Sequence, residues 1–211
     1  MHRFDRPAWV LAVLLAALAG YIDALGFIEL GGFFVSFMSG NSTRMAVGVA
    51  THAADAVRAG TLILTFVGGV VTGTMVRRRA VPEWGKVTSL ALLTLVLLIA
   101  AISQELGARL LALYGMAFAM GVENTAFERD GEVAVGLTYM TGALVKFGQK
   151  LAGALMGGPR FEWVAYLTLW SGLAGGAIIG ALVHPYWGLH GLWAAVALAA
   201  GLTLWRMRPA P

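Results

Sequence analysis

Met38-Ser39-Gly40-Asn41-Ser42-Thr43-Arg44 places six polar or glycine residues in a row after a methionine. The run lies within residues 33–53 of a chain that otherwise reads like hydrocarbon. A bilayer core holds no water, so every polar group in it must find a partner inside the protein. The stretch therefore faces a cavity or a neighbouring helix, not lipid.

A second copy follows. Met140-Thr141-Gly142-Ala143-Leu144-Val145-Lys146 has the same frame of Met, small hydroxyl, Gly, three residues and a base, so Arg44 matches Lys146. Gly20-x-x-Asp23 precedes the first copy and Gly121-x-x-Asn124 the second. Gly68-Gly69-x-x-x-Gly73 follows the first and Gly175-Gly176-x-x-x-Gly180 the second. Three matches in one order predict a duplicated chain, with repeat 1 over residues 8–103 and repeat 2 over residues 106–205 of a single membrane domain, 1–211. Many transporters are built this way.

Composition agrees. The 211 residues are 59% hydrophobic and 12% charged, against about a quarter charged in soluble domains. The mean hydropathy is +0.77. The fold class expected is an all-α integral membrane protein. Cysteine is absent, which excludes disulfides and thiolate metal sites. His2, His52, His184 and His190 have no metal-ligand spacing within one helix, so no metal or other cofactor is expected. The net charge of +4 does not point to nucleic acid, because the bases gather at segment ends, as in Arg77-Arg78-Arg79. The partners implied are the lipid bilayer and a small solute, and an oligomer is compatible with the sequence. Arg3 and Arg6 before an apolar run resemble a signal peptide. The run continues past the cleavage-like Ala17-Leu18-Ala19, however, and its counterpart around Gly121 is internal, so it is read as a retained span.

Eight hydrophobic segments appear, at residues 8–30, 33–53, 59–76, 87–103, 106–127, 134–156, 164–183 and 187–205. The seventh is expected to close at His184-Pro185, since the residue before proline disfavours helix. Positive residues collect in cytoplasmic loops. Arg3 and Arg6, Arg77 to Arg79 with Lys86, and Arg206 with Arg208 fall on one side only if segments 2 and 6 are broken or re-entrant. The expectation is about six full transmembrane helices plus two broken or re-entrant polar ones, with both termini cytoplasmic. Each repeat then crosses three times, which inverts one repeat against the other and puts a site near the midplane.

Asp23, Ser39, Gly40, Asn41, Arg44, Asn124, Thr141, Gly142 and Lys146 are the candidate solute-binding residues. A carboxylate inside a span, as at Asp23, is costly and marks function by default. The competing readings are a pair with Arg44 or a hydrated position near the surface. Arg44 and Lys146 either receive an anion or neutralise Asp23 and Glu123. Ser39, Thr43, Thr138 and Thr141 can bond a ligand, although such hydroxyls more often bond their own helix. Gly69, Gly73, Gly172, Gly176 and Gly180 have the small-xxx-small spacing of close helix packing and are assigned to the interface between repeats. Asn41-Ser42-Thr43 is formally a glycosylation sequon, accidental inside a membrane segment. Residues 128–132 read as a solvated charged turn. No catalytic motif is present, so no enzyme is expected. The function expected is a small transporter or channel for a polar or ionic solute; the alternative is a non-transporting scaffold or accessory subunit.

Tyr21-Ile-Asp-Ala-Leu-Gly-Phe, Phe34-Val-Ser-Phe-Met-Ser-Gly-Asn, Gly121-Val-Glu-Asn-Thr-Ala and Thr138-Tyr-Met-Thr-Gly resemble the YoaK-type bacterial membrane proteins along nearly the whole chain. Members of that family usually carry Thr at the position of Ser39 and commonly Gln at that of Glu123. The resemblance implies about six spans in a bacterial inner (plasma) membrane. It implies no solute.

Overall fold

The computed structural model describes residues 6–129, 132–133 and 138–207. Its helices are α1 (Arg6–Glu29), α2 (Met38–Thr51), α3 (Ala53–Arg79), α4 (Gly85–Glu105), α5 (Arg109–Glu123), α6 (Met140–Leu155), α7 (Val164–Trp187) and α8 (Leu192–Met207). After α5, β1 (Glu128–Arg129) pairs antiparallel with β2 (Glu132–Val133), and residues 130 and 131 of the expected charged turn lie outside the described residues. Arg3, Arg208 and residues 134–137, where the sixth segment was expected to begin, lie outside the described residues.

Among the described residues, five stretches are long and apolar enough to cross a membrane: Pro7–Glu29, Ala53–Arg79, Pro82–Glu105, Arg109–Phe127 and Val164–Met207, the last holding both α7 and α8. Helices α2 and α6, with 14 and 16 residues, fall outside these stretches. Two sequence boundaries are corrected. Helix α7 does not stop at His184 but continues through Pro185 to Trp187. A proline so near the end forfeits only one backbone bond, and His184 is held at 2.8 Å by Glu29. The helix ends instead at Gly188, whose φ of +51 suits glycine. Helix α8 starts at Leu192, because the 3-10 turn Gly188–Gly191 comes between, pinned by the Tyr21 hydroxyl donating to the Gly191 carbonyl at 2.9 Å.

Glycine sets the packing. A Cβ at Gly172, Gly176 or Gly180 would strike the carbonyl of Val13, Ala17 or Tyr21, in that order, so α1 and α7 run parallel in backbone contact. Gly69 and Gly73 meet α5 at Phe118 and then Val122 and Thr125, so α3 and α5 are also parallel. Gly20 and Gly121 supply the other side of each crossing, against Leu173 and Phe66. Helix α5 is antiparallel to α1, since Gly26 approaches Met116 while Glu29 pairs with Arg109. Helix α4 is antiparallel to α5 and to α8, as Ala100–Gly115, Ser89–Thr125 and Thr94–Thr203 fix it.

One end of the bundle therefore gathers Glu29, Glu105, Arg109, His184 and His190. The other gathers the starts of α1 and α7, the Arg77-to-Arg79 turn and the end of α8. Helices α1 and α5 form the core with Leu11, Leu15, Leu18, Ile22, Met116 and Met120, all buried. Leu64, Val71, Ile178 and Leu182 on α3 and α7 are exposed, an apolar girdle that lipid covers.

Candidate functional site

After α1 the chain does not leave the bundle. Gly31 and Gly32, with φ of +66 and +96, turn it back. Val35 packs where Gly26 has no Cβ, the Val35 Cγ1 lying 2.7 Å from where one would stand. This returning loop has no helix or sheet to absorb its backbone groups, and side chains do so instead. Asp23 Oδ1 accepts from the N–H groups of Val35 and Ser36, both at 2.8 Å. Asn41 Oδ1 accepts from Phe34 N–H at 2.9 Å, and its Nδ2 donates to the Phe34 carbonyl at 2.7 Å. Arg44 does not pair with Asp23 or Glu123. Its guanidinium lies 4.6 Å from the centre of the Phe33 ring, which Arg58 also approaches at 5.4 Å. Helix α2 then returns antiparallel to α3, with Met45 near Gly60 and Gly48 against Ala56.

The stretch into α6 is held differently. The Thr138 hydroxyl donates to Asn124 Oδ1 at 3.3 Å, and Asn124 Nδ2 donates to the Met120 carbonyl at 2.9 Å. Helix α6 runs back antiparallel to α7, with Lys146 5.9 Å from the Tyr166 ring centre and Lys150 bonded to Glu162 at 2.6 Å.

The two matched motifs line one cleft. Residues 36–39 and 138–142, with Phe66 from the middle of α3, line a cleft of about 340 Å³. Helices α2 and α6 both begin at its wall, and neither Phe37 nor Tyr139, the residues before them, supplies a side-chain cap. First-turn N–H groups have no partner within a helix, so they offer donors to whatever enters. Hydroxyls of Ser36, Ser39, Thr138 and Thr141 add groups that donate or accept.

Of the residues nominated from sequence, Ser39, Thr141 and Gly142 line this cleft. Asp23 and Asn41 stand behind it, bonded to the first loop, and Asn124 stands behind it, bonded to Thr138. Gly40 faces the rings of Phe34 and Phe37, and Arg44 and Lys146 lie away from the cleft on Phe33 and Tyr166. Gly69, Gly73, Gly172, Gly176 and Gly180 sit at the two helix crossings. Ser36, Phe66 and Tyr139 were not nominated. Ser36 and Thr138 each stand two residues before the motif methionine, a coincidence that the repeated frame contained.

The family model for "Protein of unknown function (DUF1275)" matches residues 11–205. The UPF0700 transmembrane protein RA0705 of Rhizobium meliloti (strain 1021) is 36% identical over 194 residues, covering 92% of this chain and 83% of that protein. The UPF0700 transmembrane protein YoaK of Bacillus subtilis (strain 168) is 26% identical over 206 residues, covering 92% of each. No solved structure matches the chain. With its apolar helices and these transmembrane relatives, the chain is a multi-pass membrane protein and belongs to the DUF1275 family.

Proposed function

We propose that the protein carries a small polar or ionic solute across the membrane, as a transporter or channel, through the cleft where α2 and α6 meet. The observation that carries this reading is the composition of the cleft wall: two uncapped helix starts and four hydroxyl residues, of which Ser36 and Thr138 are buried and Ser39 and Thr141 are exposed at the mouth. Solute sites built from broken helices at the junction of inverted repeats have this character.

The duplicated, inverted architecture belongs to the same proposal. Helices α1 and α5 correspond and run antiparallel, as do α4 and α8. The glycines correspond crosswise: Gly20 packs on the α7 turn holding Gly176, and Gly121 on the α3 turn holding Gly69. Six crossings follow, with α2 and α6 entering and returning. The Arg77-to-Arg79 turn and both chain ends then face the cytoplasm of a bacterial inner membrane.

A non-transporting scaffold is the second reading, favoured by the engagement of Asp23 and Asn41 with backbone. Two experiments decide. A screen of small solutes for a raised melting temperature identifies a ligand if one binds. That stabilisation should vanish in Thr141→Val. Absence of any stabilising solute, together with unchanged behaviour of cleft variants, favours the scaffold. Single cysteines at Ala80 and Leu106, in a chain without native cysteine, should react from opposite sides of the membrane, Ala80 from inside. Labelling of both from one side overturns the six-crossing topology.

A further inference from the structure

Glu123 ends α5, is wholly buried, and neither of its carboxyl oxygens has a hydrogen-bond partner. It lies on the face Met116, Met120, Glu123, spaced as one stripe of a helix and buried throughout. Met116 on this stripe abuts Gly26 of α1, so the stripe looks toward the bundle interior.

On the packed neighbours, charged groups have contacts of their own, and Asp55, Arg78 and Arg79 stand at the two ends of α3. On α1, Asp23 holds Val35 and Ser36, and Glu29 holds Arg109 and His184 at the far end. On α3, Arg77 donates to the Ala126 carbonyl, and Arg58 lies on Phe33. On α4, Lys86 lies 5.4 Å from the Phe127 ring centre, and Glu105 holds His190.

A bare carboxylate anion is expensive in such surroundings, so Glu123 must meet a cation there. A metal ion needs a shell of several oxygens. Among the described residues no group of three or more His, Asp or Glu side chains comes together to begin one. A proton needs only the carboxylate.

We propose that Glu123 is a proton-binding site whose occupancy is linked to that of the cleft. Asn124, the next residue, begins the 3-10 turn Asn124–Phe127, and its Oδ1 accepts from Thr138 on the cleft wall. The change from α to 3-10 winding at this point makes a joint. A solute that takes over the Thr138 hydroxyl frees Asn124 and turns the joint. The carboxyl is then exposed to water, its O–H bond breaks, the proton passes to water and the carboxylate remains. The linkage rests on the transport reading; the proton site does not.

Infrared spectroscopy of the purified protein near neutral pH tests it. Wild type should show a buried carboxylic-acid C=O band, shifted in D2O. Glu123→Gln should lose that band, and Asp23→Asn should keep it and so assign it. Absence of the band in wild type, or its persistence in folded Glu123→Gln, overturns the proposal. If Glu123→Gln does not fold, Thr138→Val substitutes: a shifted C=O band supports the link, and an unshifted one overturns it. Any solute found by thermal screening should release a proton from wild type in weakly buffered solution but not from Glu123→Gln. Equal release from both overturns the linkage. A band lost in Glu123→Gln with no solute found removes the transport reading and upholds the proton site.

Discussion

The α1–α2 and α5–α6 regions carry the same motif with the carboxylate moved by one residue. The first has Ile22-Asp23 after Gly20, the second Glu123-Asn124 after Gly121. One residue is about 100° around a helix, so the two carboxylates face different neighbours. Asp23 meets two N–H groups of a returning loop. Glu123 takes the place that Ile22 has in the first region, buried and without a donor. A carboxylate inside a span thus has no fixed meaning. Where unpaired backbone donors face it, it is part of the scaffold; where none do, it is left for a mobile cation.

The comparison presupposes that the two crossings under these regions are equivalent, and breaking them should give the largest effect. Gly69→Leu and Gly176→Leu drive a side chain into the backbone of α5 and α1. Each should cost about 3 kcal/mol or more, since helices in contact through main chain cannot yield locally. Gly175→Leu, one position aside, points into open space and should stay within about 0.5 kcal/mol of wild type. Thermal unfolding in detergent measures all three. A large loss in only one of Gly69→Leu and Gly176→Leu would break the equivalence.

These glycines show what the sequence made readable. Spacing and order were enough to identify residues whose only requirement is smallness, because a close crossing depends on local periodicity. The cleft was readable in outline, through Ser39, Thr141 and Gly142, since those repeat. The roles of Asp23 and Asn41 were not. Their partners are main-chain groups 12 and 7 residues away, and backbone donors leave no mark in a sequence. Pairing Asp23 with Arg44 was the obvious electrostatic guess, yet Phe33 offers Arg44 a ring instead. The run of α7 past Pro185 was hidden likewise, because Glu29, 155 residues away, steadies it.

Asp23 sharpens the contrast next. Asp23→Ala orphans two buried N–H groups and should cost about 3 kcal/mol, whereas Asp23→Asn keeps an acceptor and should cost about 1–2 kcal/mol. Because Arg44 is no partner, adding Arg44→Gln to Asp23→Asn should give additive losses. Recovery of stability in the double variant would restore the ion pair. Asn41→Ala removes both bonds to Phe34 and should cost about 2 kcal/mol. The matched Ala143 carries no such clamp, so Ala143→Ser should be close to neutral by the same denaturation measurement.

The smallest effect discriminates most finely. Ser36 and Thr138 occupy matched positions on the cleft wall, and each bonds through its hydroxyl, but Ser36 is also held through its backbone. Asp23 accepts from the backbone N–H of Ser36, which every residue except proline retains. Asn124 accepts from the hydroxyl of Thr138, which valine lacks while keeping the shape. Thr138→Val leaves a buried Asn124 Oδ1 without its donor and should cost about 1 kcal/mol. Ser36→Ala removes the hydroxyl's hydrogen bond to Asp23 but leaves the two backbone bonds to it standing, and should cost about 0.5 kcal/mol. Both remove a hydroxyl from the cleft, so both should weaken stabilisation by a solute, while Thr138→Val should lower the melting temperature of the free protein more than Ser36→Ala does. Equal losses in the free protein, or a larger one in Ser36→Ala, would mean that the two loops are held alike, and the contrast between Asp23 and Glu123 would lose its structural basis.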